Sequence, residues 1–322
     1  MVRPMRFRIP ISFSLCPWYN LLYYTKRKFV PAAHTAKSLN FSTSRIRRLR
    51  KGMDTTMKKI TRYMRLYRIF ASQYVKTVLQ SKTDFFVGLS GFLISQAAGL
   101  AFLYLVFEQI PAMKDWSLEQ MLFIYGFAQI PRGIDHLLTD NLWMVGWQMV
   151  IKGTFDKYIL RPMNIFFQIV CEKVQFDALG ELLVGCIFVG RAVANGTVQV
   201  TVPKALLFVV SVVAGTVIYT SVKLFLASLA FWLKDSSPLM TTAYDVADFA
   251  KYPVEIYARP IRIVLMTILP FAFVAYIPST FFLIHANIWK TIGAECGLAV
   301  LFWLFSYSVF KKGLTLYESA GN

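Results

Sequence analysis

The chain has 322 residues, 56% of them hydrophobic and only 16% charged, with 28 Phe. Soluble chains average about a quarter charged and lack apolar runs of about 20 residues, so the composition excludes a soluble globular domain and predicts an all-α, polytopic membrane protein. The formal charge of +18 is lopsided: Arg3 to Arg68 hold 17 of the 35 Lys and Arg with Asp54 the only acid, while the remainder, 18 basic against 16 acidic, is nearly neutral. Nucleic-acid binding would require that basic patch on a folded polar domain, so no nucleic-acid partner is expected, and contact with anionic lipid suits the charge better.

Residues 1–52 carry scattered Arg, Lys, Ser, Thr and Pro with no acid and no sustained period. That composition is like an organellar transit peptide. The preferred expectation is an over-extended reading frame with the true start at Met53 or Met57. The expected division is therefore a basic extension, 1–56, disordered or mis-started, and a membrane domain, 57–322. Between 58 and 82, Ile60, Tyr63, Met64, Tyr67, Phe70, Tyr74, Val75 and Val78 recur at helical spacing, with Lys59, Arg62, Arg65 and Lys76 on the other side. A basic amphipathic helix lying in the headgroup plane is expected there.

Residues 85–107 contain no charge and are long enough to cross a bilayer core of about 30 Å. A second, more polar span is expected over 118–150. Its Pro131, Arg132, Asp135 and Asp140 are costly at the bilayer centre and are expected to face other helices or the membrane edge. The stretch 151–162, IKGTFDKYILRP, is polar and turn-bearing: Gly153 breaks a helix, and Pro162 suits the first turn of the next one. Lys152, Lys157 and Arg161 outweigh Asp156, which places this connection on the cytoplasmic side.

A third span, 163–189, carries Glu172, Lys173, Asp177 and Glu181. The last three stand four residues apart, so a continuous helix would put them on one face, with Lys173 and Asp177 able to pair. Three readings remain open for that face: a hydrophilic wall of a translocation path, a helix–helix or subunit contact, or turns at the cytoplasmic interface. The fourth span covers 204–233, where Lys223 is expected to snorkel toward the cytoplasm. Two topologies fit the last third. Either 263–284 is a simple fifth span after a cytoplasmic loop, which hydropathy prefers, or 236–252 is the fifth span and the proline-broken 253–285 dips in and out from the external face. The last span is 292–310, and Lys311 and Lys312 follow it on the cytoplasmic side.

Cys171, Cys186 and Cys296 fall in apolar segments at neither metal-like nor disulfide-like spacing. The chain contains no G-x-x-x-x-G-K-[ST] phosphate loop, no G-x-S-x-G elbow and no H-E-x-x-H zinc pair. No catalytic residue, metal site or cofactor is expected on it.

Three motifs carry a resemblance: DWSLEQMLFIYG opening the second span, IKGTFDKYILRP after it, and KYPVEIYARPIRIVLMTILPFAFVAYIPS before the last span. From about Met57 onward the chain resembles the permease subunits of bacterial type-2 ABC exporters, the ABC-2 family. The resemblance implies six transmembrane helices after an interfacial elbow helix, in the cytoplasmic membrane of a bacterium with both termini inside. It implies a cytoplasmic ABC ATPase dimer that binds ATP and Mg, a second permease copy or a paralogous permease, and membrane lipids as partners. It places Ile151, Lys152, Thr154, Phe155, Asp156, Lys157, Tyr158 and Arg161 on the helix that docks the ATPase, and it favours the external re-entrant reading of 253–285. Phe155, Tyr158 and Ile159 are the expected apolar anchors of that docking, with Lys152, Asp156 and Lys157 as its polar rim. The competing reading is an ion-coupled secondary transporter relaying protons through Glu172, Asp177 and Glu181. An intramembrane enzyme is disfavoured for want of a nucleophile–base pair.

Overall fold

The computed structural model describes residues 61, 64–69, 72, 82–110 and 112–318. The extension 1–56 and most of the expected interfacial helix lie outside the described residues, although 64–69 are helical. Apart from one isolated bridge between Met113 and Trp116, the regular structure among the described residues is entirely helical.

The principal helices are α1 (Lys82–Gln109), α2 (Leu118–Thr139), α3 (Asp156–Ile159), α4 (Ile165–Glu172), α5 (Leu179–Ala194), α6 (Val202–Ser228), α7 (Ser237–Ala247), α8 (Arg259–Ile263), α9 (Tyr276–Ile284) and α10 (Ala294–Leu316). Local chemistry sets several starts. Ser117 and Gln120 cap α2 reciprocally, a capping box that satisfies two orphan donors. Asn164 accepts from the Phe167 amide at the start of α4. Proline occupies the first turn of α6 and α7, where its missing N–H costs nothing.

Among the described residues, three helical stretches are long and apolar enough to cross a membrane: Phe86–Gln109, Val202–Leu233 and Trp289–Leu316. A fourth is added if Arg259–Ile268 and Phe271–Ile284 count as one broken span. This is a membrane protein. The helix α2 does not pass on apolarity, and its environment explains why: it runs through the middle of the bundle between α5 and α6 with most of its residues buried. It approaches α5 closely, for a Cβ added at Gly126 would stand 2.6 Å from Cβ of Phe188, and one at Gly185 would stand 2.9 Å from the Gly126 carbonyl. Small residues are what permit backbones to pack at that separation inside a membrane.

The expected third span is not one helix. The first part, α4, ends at Glu172; Lys173 is extended (φ −133°, ψ 134°), and a 3-10 turn, Phe176–Ala178, precedes α5. Lys173, Asp177 and Glu181 therefore do not share a helix face, and the expected Lys173–Asp177 pair is absent. The break is stabilised by tertiary partners, since the Gln175 amide donates to the Leu137 carbonyl of α2 at 3.2 Å and Lys173 pairs with Asp140.

The segment after α7 bends sharply. Arg259–Ile268 and Phe271–Ile284 meet at 74° around Pro270. Its approach and its return both meet Trp116, at the end of α2 remote from residues 151–162: the indole Nε1 donates to Glu255 at 3.0 Å, and the ring packs edge-on to Tyr276 at 6.0 Å. The tip reaches halfway along α6, with the Phe271 and Tyr219 rings 5.0 Å apart and Val274 against Gly215. The bend excludes a straight helix over 263–284 and accommodates both a broken span and a dipping segment.

Candidate functional site

Two places gather the polar side chains. The first is the connection 151–162. Gly153 has φ +66°, a left-handed turn that glycine adopts without a Cβ penalty, and the helix that follows, α3, is a single turn. Phe155 and Tyr158 are fully buried. The Phe155 ring meets Phe231 at 5.2 Å and Tyr317 at 5.1 Å, both edge-on. The Tyr158 hydroxyl and Lys157 both donate to Glu172 of α4. Tyr317 donates to Asp156 at 2.9 Å, and the Gln168 amide donates to the carbonyls of Tyr158 and Met163 at 3.1 Å each. Burial first, and then its acceptor Glu172, push the Tyr158 phenol up; burial and Asp156 push Tyr317 up to about 12. Both phenols remain protonated donors at neutral pH.

This geometry corrects the expected anchors. Phe155 and Tyr158 cannot dock a partner, because they are core residues that fasten the connection to the rest of the chain. What faces outward is Ile151, Ile159 and Leu160, exposed by 48%, 47% and 83%, with Lys152, Thr154 and Arg161 exposed around them. Asp156 and Lys157 are half-buried and serve inward partners.

The second place is the centre of the bundle. Asp135 of α2 has no exposure, and its carboxylate accepts from Thr139 (2.6 Å), Thr220 (2.8 Å) and Tyr244 (2.9 Å) while pairing with Lys223 at 2.8 Å. Lys223 is itself fully buried, so it does not snorkel as expected; a buried cation this close to a buried carboxylate is held by that partner. Arg132 pairs with Asp248 and lies 3.6 Å from Glu181, which also takes His136 at 3.0 Å. Lys251 joins Asp248 at 2.9 Å, and Asp140 lies 3.7 Å from both Lys173 and Lys223. The costly polar residues of α2 thus all face protein.

Beside this network is a cavity of about 360 Å³ walled by Phe92, His136, Trp143, Asp177, Glu181 and Tyr244, among others. Of the four charged residues singled out on the third span, Asp177 and Glu181 meet here. Glu172 belongs to the 151–162 connection, and Lys173 points to Asp140. Sequence reasoning did not single out Phe92, Trp143 or Tyr244, which come from three separate helices. The only signal available was the weak apolarity of 236–252, the segment that contributes Tyr244 and Asp248 to the network. Among the described residues no group of three or more His, Cys, Asp or Glu is placed to hold a metal ion.

The family model described as ABC-2 family transporter protein matches residues 93–321. No curated protein and no solved structure matches the chain.

Proposed function

The chain belongs to the ABC-2 transporter family, and on that premise we propose that it is the permease subunit of an ATP-driven exporter, worked by an ATPase carried on a separate chain. The observation that carries this reading is the two-sided build of 151–162. Its outer side presents Ile151, Ile159 and Leu160 with Lys152 and Arg161 beside them. Its inner side is fastened to α4 through Glu172, to the end of the α6 stretch through Phe231, and to the end of α10 through Tyr317. Close-packed contacts transmit displacement rather than absorb it, so a push on Leu160 would move three membrane elements together. Three clustered aliphatic side chains suit the small apolar centre of a docking interface, and the flanking cations favour an acidic rim on the partner.

The Tyr317–Asp156 bond puts the C-terminal end of α10 and this connection at one end of the bundle, and Lys152, Arg161, Lys311 and Lys312 cluster near that end in sequence. The positive-inside bias makes it the cytoplasmic end. The dipping segment would then close the external end, and ATP-driven closure of the partner would open the path outward. A second permease copy or a paralogue would complete that path, with ATP and Mg bound by the partner. A proton relay through Glu172, Asp177 and Glu181 is supported less, since Glu172 is engaged by Lys157 and Tyr158 on the far side of the break from the other two.

The test is co-expression with candidate ABC ATPase subunits from the same genome. Ile159→Asp with Leu160→Asp should abolish co-purification and nucleotide-driven transport while the permease still purifies as a folded protein. Retention of the ATPase by that variant, or transport by the chain without any nucleotide-hydrolysing partner, would overturn the proposal.

A further inference from the structure

The cavity beside the central network is lined by two carboxylates whose oxygens the ion pairs do not all engage. The surrounding ion pairs join four cations, Arg132, Lys173, Lys223 and Lys251, to four carboxylates, Asp135, Asp140, Glu181 and Asp248. Asp177, on the same wall, makes no ion pair among the described residues; its carboxylate accepts from the Gln175 side-chain amide at 2.9 Å. A second acceptor lies four residues on. Glu181 is 5% exposed; its Oε1 takes His136 and faces Arg132, while its Oε2 has no hydrogen-bond partner. A buried carboxylate oxygen left unmatched is costly unless something donates to it.

The remaining wall is aromatic: Phe92, Trp143 and Tyr244 line the same cavity, with the last two rings 5.1 Å apart and edge-on. Aromatic faces attract a desolvated cation. Two unmatched carboxylate acceptors beside three aromatic rings is the chemistry that recognises a charged amine. An anion would instead be set against Asp140, Asp177 and Glu181; the one guanidinium on the wall, Arg132, is bonded to Asp248 and lies 3.6 Å from Glu181, so its Nε–H is a single unmatched donor beside three carboxylates. The volume, about 360 Å³, suits a small ligand or the head of a larger one.

We propose that this cavity binds an organic ammonium group, its N–H donors directed to Asp177 and to Oε2 of Glu181 and its charge covered by Trp143 and Phe92. The inference rests on the permease reading only in making that ligand cargo; the binding itself does not require it.

The test uses the purified full chain in phosphatidylglycerol nanodiscs, titrated calorimetrically with 2-phenylethylammonium, the neutral 2-phenylethanol and the anionic phenylacetate. The ammonium should bind at least about ten-fold more tightly than the alcohol, since hydrogen bonds to charged groups exceed neutral ones by about that factor, and phenylacetate should not bind. Asp177→Asn removes a carboxylate charge without breaking an ion pair among the described residues and should cut the ammonium-over-alcohol ratio about ten-fold. Trp143→Leu should weaken the ammonium more than the alcohol. Equal binding of the three probes, a preference for the anion, or an unchanged ratio in Asp177→Asn would overturn the site. Discs containing phosphatidylethanolamine separate the two sources of such a group: competition there assigns the site to a lipid headgroup, and undiminished binding assigns it to a soluble or transported amine. Loss of selectivity with the ATPase still co-purifying would remove the site and leave the permease reading, and the reverse result would do the opposite.

Discussion

The connection at 151–162 and the centre of the bundle are both polar interruptions of an apolar chain, and they are built in opposite senses. In the connection the aromatic rings and Lys157 turn inward, Phe155 to Phe231 and Tyr317, Tyr158 and Lys157 to Glu172, and the aliphatic side chains of Ile159 and Leu160 are left outside beside Lys152 and Arg161. In the centre the charges are matched to one another, Asp135 to Lys223 with both fully buried, and Arg132 to the half-exposed carboxylate of Asp248. The first arrangement exposes apolar surface that only a partner or lipid can cover. The second hides charge that lipid could not tolerate. The difference separates an apolar surface left outside the chain's own packing from charge that the packing encloses.

That contrast can be broken most severely at the centre. Asp135→Ala leaves fully buried Lys223 facing a lost partner, and removing one member of a buried pair costs about 3–5 kcal/mol; detergent-solubilised protein should unfold at markedly lower denaturant. The double change Asp135→Asn with Lys223→Met should recover part of the loss. A milder result for the single variant would mean that water reaches this pair. Next comes the inward side of the connection. Phe155→Ala should cost about 3 kcal/mol or more through the cavity it leaves among Phe231, Tyr317 and Tyr158, whereas an anchor exposed for docking would cost almost nothing. Tyr158→Phe, which deletes the donor to Glu172 and leaves the ring, should cost about 1.5–3 kcal/mol.

On the outward side the order inverts. Leu160→Ala should change stability by no more than about 0.5 kcal/mol and yet weaken ATPase binding by about 2 kcal/mol if the residue is central to the interface. Pull-down against thermal melting separates the two quantities. The smallest effect is at Tyr317. Its phenol is raised from the ordinary 10 to about 12, so the folded state holds the proton more tightly than the unfolded chain. The bond to Asp156 then contributes below about pH 10, and its contribution fades as pH rises through about 12. Wild type and Tyr317→Phe should differ slightly in melting temperature at neutral pH and converge above that range.

Much of the architecture was legible because apolar length is a local property. The charge-free run of α1, the apolar stretches of α6 and α10, and the inward placement of Arg132, Asp135 and Asp140 all follow from the cost of polar groups in hydrocarbon. The position of the connection was legible too, from Gly153, Pro162 and its excess of cations. Which of its side chains point outward was not. A single turn of helix carries no periodicity, and the inward face is set by Phe231 and Tyr317, some 75 and 160 residues away in sequence.

The sequence by itself determined that this chain lives in a membrane, where its helices begin, and where a short polar joint interrupts them, because burial of apolar surface and satisfaction of backbone groups act on neighbouring residues. Only the tertiary structure decided that the third helical region breaks after Glu172, that Asp177 and Glu181 reach one cavity while Lys173 does not, and that the segment around Pro270 bends by 74°. Each of those outcomes depends on a partner distant in sequence, Asp140, His136 or Gly215, and the electrostatic or packing term that selects it exists only once the helices have come together.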